Sequence, residues 1–147
     1  METSDSSSIT GLLILAVVLI LLSMIFSASE SAFLSINKLR LRLLRNKKDK
    51  RAIRAGKLLD KKEKLLNTIL VGNNIVNIAL SAIITSIALE FFGPAGVGYA
   101  TVIVTILLLI FGEIAPKTIG TRHPEGVAFL LAPLISGSIT RMVSRSS

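Results

Sequence analysis

Hydrophobic side chains fall in long blocks along this chain, without the alternation of a half-buried strand or the single stripe of a surface helix. A bilayer core about 30 Å thick needs about 20 mostly apolar residues in helical form, so each block is measured against that length. Three reach it: residues 9–36 (ITGLLILAVVLILLSMIFSASESAFLSI), residues 65–90 and residues 99–121. Between the second and third, residues 91–98 read FFGPAGVG, and the glycines with Pro94 predict a tight turn joining antiparallel helices. A fourth apolar stretch within residues 124–143 is shorter and contains Pro133 and Gly137. A juxtamembrane helix at the interface suits its length and its trailing Arg141 and Arg145; a short fourth span is the other reading.

Charge orients these elements. Residues 37–64 hold thirteen of the seventeen lysines and arginines against Asp49, Asp60 and Glu63, a balance of +10. Short loops rich in Lys and Arg stay in the cytoplasm, whereas residues 1–8 (METSDSSS) and the 91–98 turn carry neither residue. The expected topology is therefore a multi-pass cell-membrane protein with its amino end, a short solvated tail, outside and its carboxyl end inside. Lys117, Arg122, Arg141 and Arg145 then fall on the inner side as well. Leucine and isoleucine recur among the linker cations at helical spacing, which predicts two short amphipathic helices broken near Asn46 and Gly56. They should lie on the membrane surface near anionic lipids; docking of another domain or of an acidic ligand is the second reading. No aromatic residue interleaves these cations, which argues against nucleic acid as a partner.

Composition agrees with an all-α integral membrane protein: 51% of the 147 residues are hydrophobic, the mean hydropathy is +0.70 and the formal charge is +8. A cleaved signal peptide is rejected for the first block, because the residues before Ile9 are acidic or neutral and the apolar run is too long. With no cysteine and a single histidine, His123, disulfides, thiolate sites and a histidine-built zinc site are excluded. No GxSxG elbow accompanies that histidine, so a serine hydrolase is not expected and the chain reads as a non-enzyme.

Polar side chains inside the spans need a reason. In the first span Ser23, Ser27, Ser31 and Ser35 recur every four residues beside Glu30. In the second, Asn73, Asn74 and Asn77 follow Gly72, with Ser81 further along the same face. In the third, GEIAPK covers Gly112 to Lys117, and Pro116 should release the carbonyl four residues back, that of Gly112, beside the Glu113 carboxylate. Each set has a packing explanation: serine hydroxyls bond back to their own helix, asparagines bond between helices, and Glu113 is neutralised by Lys117, Arg122 or a proton. Together they also make an oxygen-only ligand set suited to Mg²⁺, Ca²⁺ or Na⁺, as at the broken helices of transporters. With few carboxylates, binding weak enough for release argues for transport over storage.

The phrases SMIFSASE, VGNNIVN and GEIAPKTIGTRH, in that order around a basic linker, resemble the transmembrane domain of the CNNM/CorC magnesium transporters. The resemblance covers nearly the whole chain. It implies a homodimer with three spanning helices per protomer, two short cytoplasmic helices between the first two, and a final juxtamembrane helix. It also implies Mg²⁺ efflux coupled to inward Na⁺. The implied metal ligands are Ser23, Ser27, Asn73, Gly112 and Glu113, with Pro116 as the kink. Glu30, Ser31, Asn74, Asn77 and the carbonyl of Gly120 are secondary metal or Na⁺ candidates. Family members usually continue into cytoplasmic CBS domains, which are absent here, so the sequence reads as a piece of a longer protein. A Mg²⁺-sensing membrane scaffold that does not itself transport is the alternative function.

Overall fold

The computed structural model describes the backbone of residues 2–146 and the side chains of residues 6–137. Its elements are α1 (Glu2–Ser35), α2 (Lys38–Asn46), α3 (Lys50–Asp60), α4 (Lys62–Leu108), a π-helical segment (Leu109–Ile114), α5 (Ala115–Arg122) and α6 (Pro124–Ser146). Two continuous apolar helical stretches are long enough to cross a membrane, Ser6–Ser35 and Lys62–Arg122. The residues read as a solvated tail are already helical from Glu2, so α1 starts earlier than the hydrophobic block.

The long second stretch folds back at one residue. Gly93 alone within α4 leaves helical geometry (φ 64°, ψ −179°), a conformation that glycine adopts without the steric cost borne by other residues. The expected eight-residue turn therefore contracts to a hinge. Phe91 and Phe92 finish the first arm, and Pro94 opens the second, where its missing N–H costs no hydrogen bond. Residues of both arms line one cleft against α1, including Asn77 and Leu80 from the first and Thr105 and Leu108 from the second.

The basic linker forms two helices, and local capping explains both. The Asn37 side chain accepts hydrogen bonds from the Leu39 and Arg40 amides, and Asp49 accepts one from Arg51. The break near Asn46 is present, with Lys48 at φ 63° in the connection. Gly56, in contrast, lies inside α3 and breaks nothing. The Arg45 side chain lies across it, so closely that a Cβ there would come within 2.6 Å of Arg45 Cδ. Arg45 then meets Asp60 in a two-point ion pair, both contacts at 3.2 Å.

The core sits at the linker end of the molecule. Phe33 and Ile36 of α1, Leu41 of α2, Leu58 of α3, Leu65 and Ile69 of α4, and Phe129 and Ile135 of α6 bury one another there. α6 belts this cluster, held by Arg40 to Glu125 at 2.6 Å and by the Arg51 guanidinium 5.6 Å from the Phe129 ring centre. Its apolar part, Pro124–Gly137, measures roughly 21 Å as a helix, short of the hydrocarbon thickness. The side chains of Arg141 and Arg145 lie outside the described residues. Elsewhere α1 and α4 present Ile14, Ile75, Ile78 and Val102 outward, the pattern of helices whose solvent is lipid.

Candidate cation site between three helices

α1 and the first arm of α4 approach closely because Gly72 lacks a side chain: a Cβ there would lie 2.8 Å from Phe26 Cζ. That contact carries the polar turn of each helix to the same level. Ser23, Ser27 and Asn73 are all buried, at 3%, 0% and 8% exposure. Ser23 Oγ donates toward Asn77 Oδ1 at 3.2 Å and Asn73 Oδ1 at 3.5 Å. A serine hydroxyl has one proton to give and here faces two amide oxygens, so it satisfies one of them at a time. One turn along α1, Ser27 Oγ is buried without any hydrogen-bond partner. Such a group is costly to leave unsatisfied and marks a place where a ligand would be welcome.

The third wall comes from the segment around Gly112. The simple proline gap expected in an α-helix is replaced by a wider helical turn: residues Leu109–Ile114 are π-helical, and the Ala115 amide donates to the Ile110 carbonyl. Pro116 then falls in the first turn of α5, where its missing N–H and its ring are tolerated. Thr118 Oγ1 donates back to the Ile114 carbonyl at 2.8 Å, covering an acceptor at the end of the widened turn. Gly112 is buried against α1, and a Cβ on it would face Ser23 Oγ at 3.8 Å.

These walls enclose a cleft of about 120 Å³ lined by Ser23, Asn77, Ser81, Thr105, Gly112 and Glu113 among aliphatic side chains. The cleft is open on one side, so water reaches these oxygens and can share the coordination of an ion with them. Thr105 was not singled out in the sequence. Its signal is its place two turns before Gly112, a hydroxyl within the otherwise aliphatic run VIVTILLLI.

Other candidates go elsewhere. Asn74 is exposed on the far side of α4 and does not join the cluster. Glu30 pairs with Lys117 Nζ at 3.8 Å. Lys117 is therefore engaged away from Glu113, and among the described residues Glu113 makes no ion pair. Gly120 is buried against Ala28, Ser31 and Ala32 of α1 and does not line the cleft. Among the described residues no three His, Cys, Asp or Glu side chains come together, so any ion held here would rest on hydroxyl, amide and backbone oxygens with one carboxylate.

Long apolar helices packed around a cleft with polar side chains define an all-helical membrane domain. The chain matches the cyclin M (CNNM) transmembrane N-terminal domain over residues 14–142, and it belongs to that family. It is 40% identical to the UPF0053 inner membrane protein YfjD of Escherichia coli K12, over 84% of this chain and 32% of that protein. It is 33% identical to the metal transporter cnnm-4 of Caenorhabditis elegans, over 86% of this chain and 28% of that protein. A polyamine export protein of Haemophilus influenzae is 32% identical over 86% of this chain and 32% of its own length. The chain thus spans about a third of the length of these curated relatives.

Proposed function

We propose that this domain carries Mg²⁺ across the membrane, outward from the cytosol and coupled to inward Na⁺, by alternating access around the cleft. The observation that supports this most directly is the convergence of Ser23 with Asn73 and Asn77, with Gly112 and Glu113 on the cleft that Ser23 and Asn77 line; Asn73 and the buried Ser27 hydroxyl, one helical turn along α1, lie behind that lining. Hard neutral oxygens with a single carboxylate suit a hard cation held loosely enough to leave. In this reading the Ser23 hydroxyl stays protonated and turns its hydrogen away, so that its oxygen and the amide oxygens face the ion, and the Ser27 hydroxyl oxygen is a further ligand.

The working unit in this reading is a homodimer of three-span protomers, the basic linker and carboxyl end facing the cytoplasm, with regulation supplied by cytoplasmic CBS domains in the longer protein. Two other readings have their own support. The name of the Haemophilus relative favours an organic polycation as cargo. A sensor that binds Mg²⁺ without moving it uses the same residues.

One set of measurements separates them: calorimetric titration with Mg²⁺ on the wild type, Asn73→Ala and Ser27→Ala, then flux in liposomes containing the chain alone or the full-length protein. Transport predicts Mg²⁺ binding lost in both variants and Mg²⁺ flux driven by a Na⁺ gradient. Putrescine binding in place of Mg²⁺ would move the assignment to polyamines. Binding without flux by the full-length protein assigns the scaffold role.

A further inference from the structure

The connection between α2 and α3 encloses a second cavity, remote from the cleft. It is a groove of about 670 Å³ lined by Lys38, Leu41, Arg42, Arg45, Ile53 and Leu59, with Asp60 and Lys62 at its end. Four cations face one acid, and that acid is already engaged by Arg45. The two contacts to Asp60 use part of the guanidinium's five donors and leave the rest for a ligand. Arg45 is seated for this: it lies flat over Gly56, where any larger residue would collide with its Cδ, Nε and Cζ at 2.6–2.7 Å. A held guanidinium flanked by exposed cations over an aliphatic floor is the chemistry of a phosphate site.

The position of the groove selects the source of the phosphate. α1 ends at Ser35 and α2 starts at Lys38, so α2 leaves the membrane at its surface. On that helix Leu39 and Leu43 stay 71% and 61% exposed, an apolar edge left uncovered among the described residues. A helix turning about 100° per residue puts Arg42 between Lys38 and Leu39, so the cations begin where the apolar edge stops. With Leu39 and Leu43 in the acyl region, the groove opens at the level of the headgroups. We propose that it is a binding site for the phosphate of an anionic phospholipid, held by Lys38, Arg42, Arg45 and Lys62, with the glycerol carbons on Leu41, Ile53 and Leu59. This site does not depend on what ion, if any, the cleft carries.

Diffuse attraction between thirteen linker cations and an acidic membrane would also retain lipid, so the test compares equal losses of charge in two places. Lys38→Gln with Arg42→Gln removes two of the four groove cations and spares the Arg45–Asp60 pair, and both side chains are exposed, so the packed core is untouched. Lys50→Gln with Arg54→Gln removes the same charge from another face of α3. Native mass spectrometry of the full chain with phosphatidylglycerol, against phosphatidylcholine, reads the occupancy of a single retained lipid. The expected result is about 30-fold weaker phosphatidylglycerol retention in the groove variant and about twofold or less in the control. Equal losses in the two variants overturn the proposal. Displacement of the lipid by micromolar sodium tripolyphosphate overturns the lipid assignment, leaving a site for a soluble polyphosphate; retention of the lipid against it supports the membrane source.

Discussion

Gly120 of α5 rests on the backbone of α1 at Ala28: a Cβ at Gly120 would sit 2.5 Å from the Ala28 carbonyl oxygen and 3.1 Å from the Ala32 amide nitrogen. Backbone atoms inside a helix cannot retreat as a side chain can, so the two helices have to separate to admit even a methyl group. Gly120→Ala is expected to destabilise the domain by about 1–3 kcal/mol, the usual cost of overpacking. A lowered thermal midpoint in detergent, with Gly126→Ala unchanged because nothing lies near that glycine, is the result to look for.

Ser27→Ala should act on stability and on binding in opposite directions. The hydroxyl is buried without a partner, so its removal from the ion-free protein relieves a cost of about 1–3 kcal/mol. The same substitution takes a ligand from the proposed ion. A raised midpoint without Mg²⁺, together with loss of the stabilisation that Mg²⁺ gives the wild type, is expected; a variant stabilised by Mg²⁺ as strongly as the wild type would sink the ligand role.

The two neighbouring asparagines of the second span separate by orientation. Asn77 accepts from Ser23, whereas Asn74 is exposed. Asn77→Ala is expected to weaken Mg²⁺ binding by about tenfold or more, a loss of about 1.4 kcal/mol, and Asn74→Ala to leave it unaltered in the same titration. Equal effects would mean that the cluster around Ser23 is packing alone.

The ion pair between Glu30 and Lys117 is long, at 3.8 Å, and both side chains keep access to solvent. Such pairs contribute about 0–1 kcal/mol. Lys117→Gln should therefore leave the thermal midpoint within a degree or two, an outcome checked in low and high salt; a large drop would show that Lys117 neutralises a charge the geometry leaves free.

Gly93→Ala tests the reversal. A Cβ at Gly93 would meet no neighbour within 4 Å, so the cost is that of the backbone alone, about 1–3 kcal/mol for a positive-φ, extended-ψ conformation that is essentially restricted to glycine. Gly98→Ala, also without near neighbours but in helical geometry, should be neutral or slightly stabilising. Unfolding in mixed micelles distinguishes the two.

Helical blocks, the basic linker and the polar turns were legible in the sequence because each leaves a one-dimensional trace: length, charge or a four-residue spacing. Ser23 and Asn73 could be picked out that way. What pairs with what could not. Asn74 and Asn77 look alike in composition, and only helix rotation sends Asn77 toward α1. Gly56 and Gly93 read equally as breaks, yet one admits a neighbour's guanidinium and the other supplies a positive φ. The consequence of Pro116 was half legible. Local sterics forbid the regular ladder, but whether the chain opens a gap or widens into a π turn depends on the packing of Gly112 against α1.

Two of the three walls of the cleft differ in stiffness. From Lys62, among the linker cations, α4 runs without interruption to Asn73, about 16 Å along one axis. It transmits a push as a beam does, so a shift of the linker arrives at the amide oxygens almost undiminished. The opposing wall contains a widened turn and a proline, where the regular ladder is already broken, and it yields first. Force applied at the linker end is thus converted into a change of gap width at one place, beside Gly112.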